Sequence, residues 1–254
     1  MIFPIGDDNS DRRIRPVATY FLIAVNVFVF VFLQGLGSND RFTYAFSTVP
    51  EEIVTGGDVV TEGDVVQDPL TGEAVRLPGL EHTPISVYIT LLTSMFMHGG
   101  FAHILGNMLY LWIFGDNIED FLGHTRFLIF YLTTGLVASL AHVFTTTLLG
   151  GNMLVPSLGA SGAISGVLGG YLLLFPRKRV RVIMFQFLQD VPAFVAIGIW
   201  FVFQLINGLG MLGAGSQQGG VAYAAHIGGF LAGVLLVKPF AAGLKSRAGF
   251  VQQG

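Results

Sequence analysis

The chain has 254 residues, 52% hydrophobic and only 11% charged, with a mean hydropathy of +0.68. Soluble domains carry roughly 25% charged residues, so this composition, with 34 Gly and 23 Phe, excludes an ordinary soluble domain and indicates a polytopic membrane protein. The net charge of −3 comes without a basic patch for nucleic acid, and the lack of cysteine excludes disulfides and thiolate metal sites.

The first 16 residues are polar and contain Asp7, Asp8 and Asp11, unlike a cleaved signal peptide, so residues 1–16 are expected to be a cytoplasmic segment. Six apolar runs follow, predicted to form an all-α bundle over residues 17–238, with a cytoplasmic tail at 239–254. They cover about Val17–Leu33, His103–Phe114, Phe127–Leu149, Leu158–Phe175, Val191–Ile206 and Tyr223–Val237, the start of the second being blurred by Met95–Phe101. Eleven of the 13 Lys and Arg residues fall before span one, between spans two and three, between spans four and five, or after span six. The positive-inside rule therefore predicts both termini in the cytoplasm. The first external connection, about 35–87, is long. Its Gly57-Asp58-Val59-Val60 and Gly63-Asp64-Val65-Val66 near-repeat, with later Pro and Gly turn signals, predicts an acidic, hairpin-rich excursion. No repeat of whole spans is evident, which weighs against an inverted-repeat transporter.

Three polar constellations interrupt the apolar runs. Gly159-Ala160-Ser161-Gly162 opens span four, where Ser161, Ser165 and Gly169 share one helical face. His226 stands near the start of span six, on a face shared with Gly229 and Gly233. Two small-residue faces can pack backbone to backbone and bring the imidazole within reach of Ser161, which as a free hydroxyl is a poor nucleophile without an adjacent base. Packing alone also accounts for glycines in a membrane helix, and a structural hydrogen bond for a lone histidine. The third constellation is His98, His103 and Asn107; the last two are four apart on one face and offer N–H donors for an oxyanion. A metal site is not expected, because His98 and His103 are five apart, with no His-Glu-x-x-His pattern.

These motifs resemble the rhomboid family of intramembrane serine proteases. The resemblance runs from span one to span six, through His98-x₄-His103-x₃-Asn107, Gly159-Ala160-Ser161-Gly162 and Ala225-His226-x₂-Gly229-x₃-Gly233. Gly115-Asp116-Asn117-Ile118-Glu119-Asp120-x-Leu122-Gly123 is similar to the family's cytoplasmic turn. The resemblance implies a six-helix rhomboid-like bundle, N-in and C-in, that needs no cofactor and cuts single-span protein substrates within the lipid bilayer. It implies Ser161 as nucleophile and His226 as general base. It also implies an oxyanion pocket of the Ser161 N–H, His103 and Asn107, with His98 at the entrance and no acidic third member. Span five and the glycine-rich loop 208–220 are implied as lateral gate and cap. Two positions depart from the family pattern: Ser165 stands where some members carry an aromatic that stacks on the histidine, and the first loop lacks the Trp-Arg pair. A six-span chain without a seventh helix or targeting peptide is expected in a prokaryotic plasma membrane. The alternatives are a catalytically inactive rhomboid-like protein that binds or chaperones membrane clients, and a small-solute transporter.

Overall fold

The computed structural model describes residues 2–67, 74–213 and 223–244. Helices dominate it. The chain enters through strand β1 (Ile2–Asp7) and helix α1 (Val17–Phe28), whose last turn, Val29–Leu33, relaxes into a π-helix. Two short helices, α2 (Asp40–Ala45) and α3 (Pro50–Thr55), precede an antiparallel hairpin of β2 (Asp64–Gln67) and β3 (Ala74–Leu77). The expected hairpin is therefore present, and the helices before it are an addition that the turn signals did not suggest. Helix α4 (Thr90–Thr93) leads through a bend of 80° into α5 (Phe101–Leu122), and α6 (His124–Leu148) follows. Helix α7 (Ser161–Leu174) comes next, then a hairpin of β4 (Arg179–Met184) and β5 (Phe187–Pro192), and finally α8 (Ala193–Gly213) and α9 (Tyr223–Ala241).

By length and composition α6 and α9 each suffice to cross a membrane, and the bent pair Val87–Phe96 with Phe101–Leu122 makes a third if taken as one span. The other apolar helices, Val17–Leu33, Ser161–Leu174 and Ala193–Gly208, are shorter. Large apolar side chains point outward along the bundle, with Phe32 70%, Leu105 67% and Leu235 71% exposed, while Asn26, Glu119, Thr134 and Ser165 are buried inside. That inversion suits a lipid solvent, in which polar groups turn toward the bundle interior.

Helix α9 packs chiefly on α7 and α6, and glycine makes the approach possible. A Cβ built on Gly229 would lie 2.1 Å from the Gly162 carbonyl oxygen, and one on Gly233 would lie 1.9 Å from that of Gly166. The backbones of α7 and α9 therefore touch directly, as small-residue faces allow.

The opposite end of the bundle is tied by polar groups. The expected polar segment 1–16 is not wholly irregular: β1 pairs antiparallel with β4, giving a three-stranded sheet ordered β1-β4-β5. Strand β4 lies some 180 residues further along the chain, so no local pattern announces the pairing. The Gly115–Gly123 motif explains itself here. The fully buried Glu119 carboxylate accepts hydrogen bonds from the Ala18 and Thr19 N–H groups, each at 2.7 Å, and from the Thr19 hydroxyl. It thus supplies a remote cap to α1, whose first turn has no acidic residue of its own. Asp120 accepts from the Arg13 and Ile14 N–H groups, and Asp116 pairs with Arg12 at 2.6 Å.

Asp7 sits in the same cluster, accepting from Tyr171 Oη and Asn117 Nδ2, each at 2.7 Å. Burial pushes its carboxyl up to about 7, with the Asp116 charge adding to the rise and the Tyr171, Lys178 and Asn117 contacts opposing it. Folding therefore raises this group's proton affinity, and its contribution to stability is full below about pH 4 and declines as pH rises toward 7. Asp7→Asn cannot ionise. The difference in stability between the two proteins should move in favour of Asp7→Asn by up to about 4 kcal/mol between pH 4 and 7, at about 1.4 kcal/mol per pH unit. Thermal unfolding in detergent across that range measures it, and parallel curves for the two proteins would refute it.

Candidate active site

A cavity of about 560 Å³ opens between α5, α6, α7, α8 and α9, lined among others by His103, Asn107, Gly159, Ser161, Trp200 and His226. That volume is ordinary for a ligand pocket. Ser161 is the first residue of α7, and the segment entering it is pinned by three backbone hydrogen bonds. Ser157 and Thr48 exchange backbone hydrogen bonds at 2.8 and 3.0 Å, and the Gly159 N–H donates to the Ser94 carbonyl at 2.8 Å. The short elements between α1 and α5 thus hold the approach to α7. Gly159 has φ +123°, and a Cβ there would meet His103 Cε1 and Nε2 at 2.8 Å while lying 3.7 Å from Ser161 Oγ. Glycine is needed on both counts, and its bareness lets His103 and Ser161 face one space.

His226 stands one turn into α9, with Nε2 2.8 Å from Ser161 Oγ. The two are 65 residues apart in sequence and meet because α7 and α9 touch through glycine. This is the contact a serine hydroxyl needs for its proton to be taken by a base. Because the ring must accept at Nε2, its proton belongs on Nδ1, and Nδ1 lies 2.8 Å from the Gln204 Oε1. Gln204 is a residue the sequence reading missed. Its signal was that of a polar side chain inside the apolar run of span five, which calls for an explanation in itself.

His103 and Asn107 lie one turn apart on α5 and both line the cavity. The Gly99 N–H donates to His103 Nδ1 at 3.3 Å, which leaves the ring proton on Nε2, the nitrogen next to Gly159. Asn107 Nδ2 is buried and has no hydrogen-bond partner among the described residues. An unmet buried donor costs about 1–3 kcal/mol, so this amide is poised for something that enters the cavity. The Ser161 N–H, at the start of its helix, has no carbonyl one turn back to pair with. The His103 and Asn107 side chains thus line the same cavity as Ser161.

His98 is 1% exposed and does not line the cavity; it packs edge-on against His103 with ring centroids 5.2 Å apart. Its backbone is clamped by Gln34, which accepts from the His98 N–H and donates to the His98 carbonyl, both at 2.9 Å. Gly162 lines the cavity and packs against α6, where a Cβ would meet that of Ala138 at 2.7 Å. Ser165 Oγ donates to the Ser161 carbonyl at 2.6 Å and is fully buried. Of the expected cap at 208–220, residues 208–213 form the end of α8 and 214–220 lie outside the described residues.

Comparison with known proteins places the chain in one family. The sequence model of the family described as "Rhomboid domain" matches residues 86–242. The chain is 34% identical over 156 residues to "Rhomboid protein 1, mitochondrial" of Saccharomyces cerevisiae, covering 61% of this chain and 43% of that protein. It is 29% identical over 224 residues to "Rhomboid protease GluP" of Bacillus subtilis, covering 86% and 34%. It is also 29% identical over 178 residues to the human "Presenilin-associated rhomboid-like protein, mitochondrial", covering 64% and 43%. The chain thus spans between about a third and somewhat over two fifths of the length of these curated relatives.

Proposed function

Since this chain belongs to the rhomboid family of membrane proteins, we propose that it is an intramembrane serine endopeptidase that hydrolyses peptide bonds of single-span membrane proteins. The observation that carries the proposal is the 2.8 Å contact between Ser161 Oγ and His226 Nε2 inside a cavity also lined by His103 and Asn107. A family member retained only to bind clients has no need of that constellation. Nor has a solute transporter.

The chemistry runs through this chain's own atoms. Ser161 Oγ attacks the scissile carbonyl carbon as its proton passes to His226 Nε2. The negative charge that develops on the carbonyl oxygen is held by the Ser161 N–H, His103 Nε2–H and Asn107 Nδ2–H. His226 returns the proton to the leaving amine, the C–N bond breaks, and an ester on Ser161 remains. Water then attacks the ester, its proton going to Nε2, and the new carboxyl group leaves as Ser161 regains its hydrogen. His98 supports His103 by packing, and Gly159 and Gly162 leave room for the site.

Six spans with both termini in the cytoplasm fit the basic-residue asymmetry, with residues 17–238 as the protease domain, 1–16 and 239–254 as cytoplasmic segments and 35–87 outside. Helix α7 has 14 residues and a length of about 21 Å, against about 30 Å for the hydrocarbon core. If its far end lies at the cytoplasmic face, Ser161 is sunk below the external surface, where the cavity admits water. The relatives include a Bacillus protein as well as proteins described as mitochondrial, and a prokaryotic plasma membrane is the location this reading proposes.

A fluorophosphonate or isocoumarin probe tests the assignment. The purified chain should be labelled on Ser161 and should cut a fluorogenic transmembrane peptide in vesicles. A chain that is folded yet neither labels nor cuts would favour the client-binding alternative.

A further inference from the structure

We infer that Gln204 is a positioning residue that holds the His226 imidazole in the one tautomer able to take the Ser161 proton. The inference deepens the proposed function and rests on the Ser161–His226 dyad being hydrolytic.

A neutral imidazole carries one ring proton, which can sit on either nitrogen. Only with the proton on Nδ1 does Nε2 have a lone pair for the serine. The Gln204 carbonyl oxygen, which can only accept, lies 2.8 Å from Nδ1 and selects that form. Helix α8 turns Gln204 inward against its own character: Gln204 is 6% exposed, whereas Val202, Phe203 and Ile206 on the same helix are exposed.

Among the described residues, no other group near the ring performs this task. The Ser165 hydroxyl, at the position where an aromatic might stack, is committed to the Ser161 carbonyl. Trp200 and Tyr223 flank His226 with ring centroids 6.1 and 6.4 Å away, which limits tilting without choosing a nitrogen. An amide has a further merit in this setting. A carboxylate would orient the ring equally well but would place a charge among apolar helices, a costly substitution that the neutral oxygen avoids. The site thus has a third member without an acid.

The experiment compares wild type, Gln204→Met, Gln204→Glu and Ser161→Ala as purified full chains in vesicles, cleaving a fluorogenic transmembrane peptide. Methionine keeps the bulk and loses the acceptor. Gln204→Met should lower kcat 10- to 100-fold, with KM within twofold, and slow fluorophosphonate labelling of Ser161 by a similar factor. Gln204→Glu should restore much of kcat at neutral pH and move the acidic limb of kcat upward by a pH unit or more, because a carboxylate stabilises the imidazolium. His103 on α5 and His142 on α6 also act electrostatically on His226, and Tyr223 lies beside it; all four proteins share them, so the displacement isolates position 204.

A Gln204→Met protein with wild-type kcat and labelling overturns the inference. So does a Gln204→Glu protein that folds and whose acidic limb stays in place, since a mere tether between α8 and α9 would not touch the titration. If Gln204→Glu does not fold, the kcat and labelling of Gln204→Met decide alone. Cleavage that persists in Ser161→Ala would instead overturn the dyad itself, whatever position 204 does.

Discussion

Replacing His226 with alanine is expected to lower kcat for peptide cleavage by about 10⁴-fold or more, and Ser161→Ala by a comparable factor. The double variant should be scarcely worse than either single one, because a nucleophile without its base and a base without its nucleophile are equally idle. The 2.8 Å contact between Nε2 and Oγ is the reason: it gives the serine proton a route to leave as the new C–O bond forms. Losing an oxyanion donor is a smaller injury. His103→Ala or Asn107→Ala should each cost about 10²–10³-fold, since the other donors still face the developing charge. Cleavage of a transmembrane peptide in vesicles, with serine labelling as a parallel readout, measures the series. A His226→Ala protein keeping a tenth of wild-type kcat would show that the base is another group.

The second large effect lies away from the chemistry. Gly233→Ala should cost activity at least about 100-fold and reduce thermal stability, although residue 233 is nearly two helical turns below His226. A Cβ at Gly233 falls 1.9 Å from the Gly166 carbonyl oxygen and 2.7 Å from its Cα. Neither is the end of a flexible side chain, so α7 and α9 must separate by an ångström or more. Overpacking of that kind costs about 1–3 kcal/mol, occasionally more, and a 1 Å misplacement of reacting groups can cost about 10²-fold in rate. Gly198→Ala is the matched control. Among the described residues, no atom beyond its chain neighbours and its own helix backbone lies within 4 Å of a Cβ at that position on α8, and alanine is the better helix former by about 1 kcal/mol. Equal behaviour of the two variants would deny that the α7–α9 contact sets the geometry.

The parts of the site that rest on periodicity were legible beforehand. His103 and Asn107 four residues apart, and Ser161 and His226 each on a small-residue face, follow from helical spacing and the cost of polar groups in hydrocarbon. Their meeting across 65 residues was an expectation, and the structure realises it at 2.8 Å. Gln204 was not legible in the same way, because its partner lies on another helix and no spacing within α8 points to it. The pairing of β1 with β4 was hidden for a related reason: Ile2-Phe3-Pro4-Ile5-Gly6-Asp7 contains a proline and a glycine and finds its register only in a distant hairpin. The Gly115–Gly123 motif was visible as a resemblance, but its physical task, the capping of α1 by Glu119, needed the third dimension.

The direct backbone contact between α7 and α9 bears on the thermodynamics of readiness. Where two helices meet through leucines or phenylalanines, their spacing averages over rotamers that must be frozen before reacting groups align, at about 0.5–2 kcal/mol for each long side chain. Glycine has no rotamers to freeze. With Gly229 and Gly233 set against the carbonyls of Gly162 and Gly166, the separation of nucleophile and base is inherited from two rigid rods rather than from an annealed layer of side chains. The entropy of bringing Ser161 and His226 together is thus spent once, during folding, and a substrate that reaches the cavity need not supply it again.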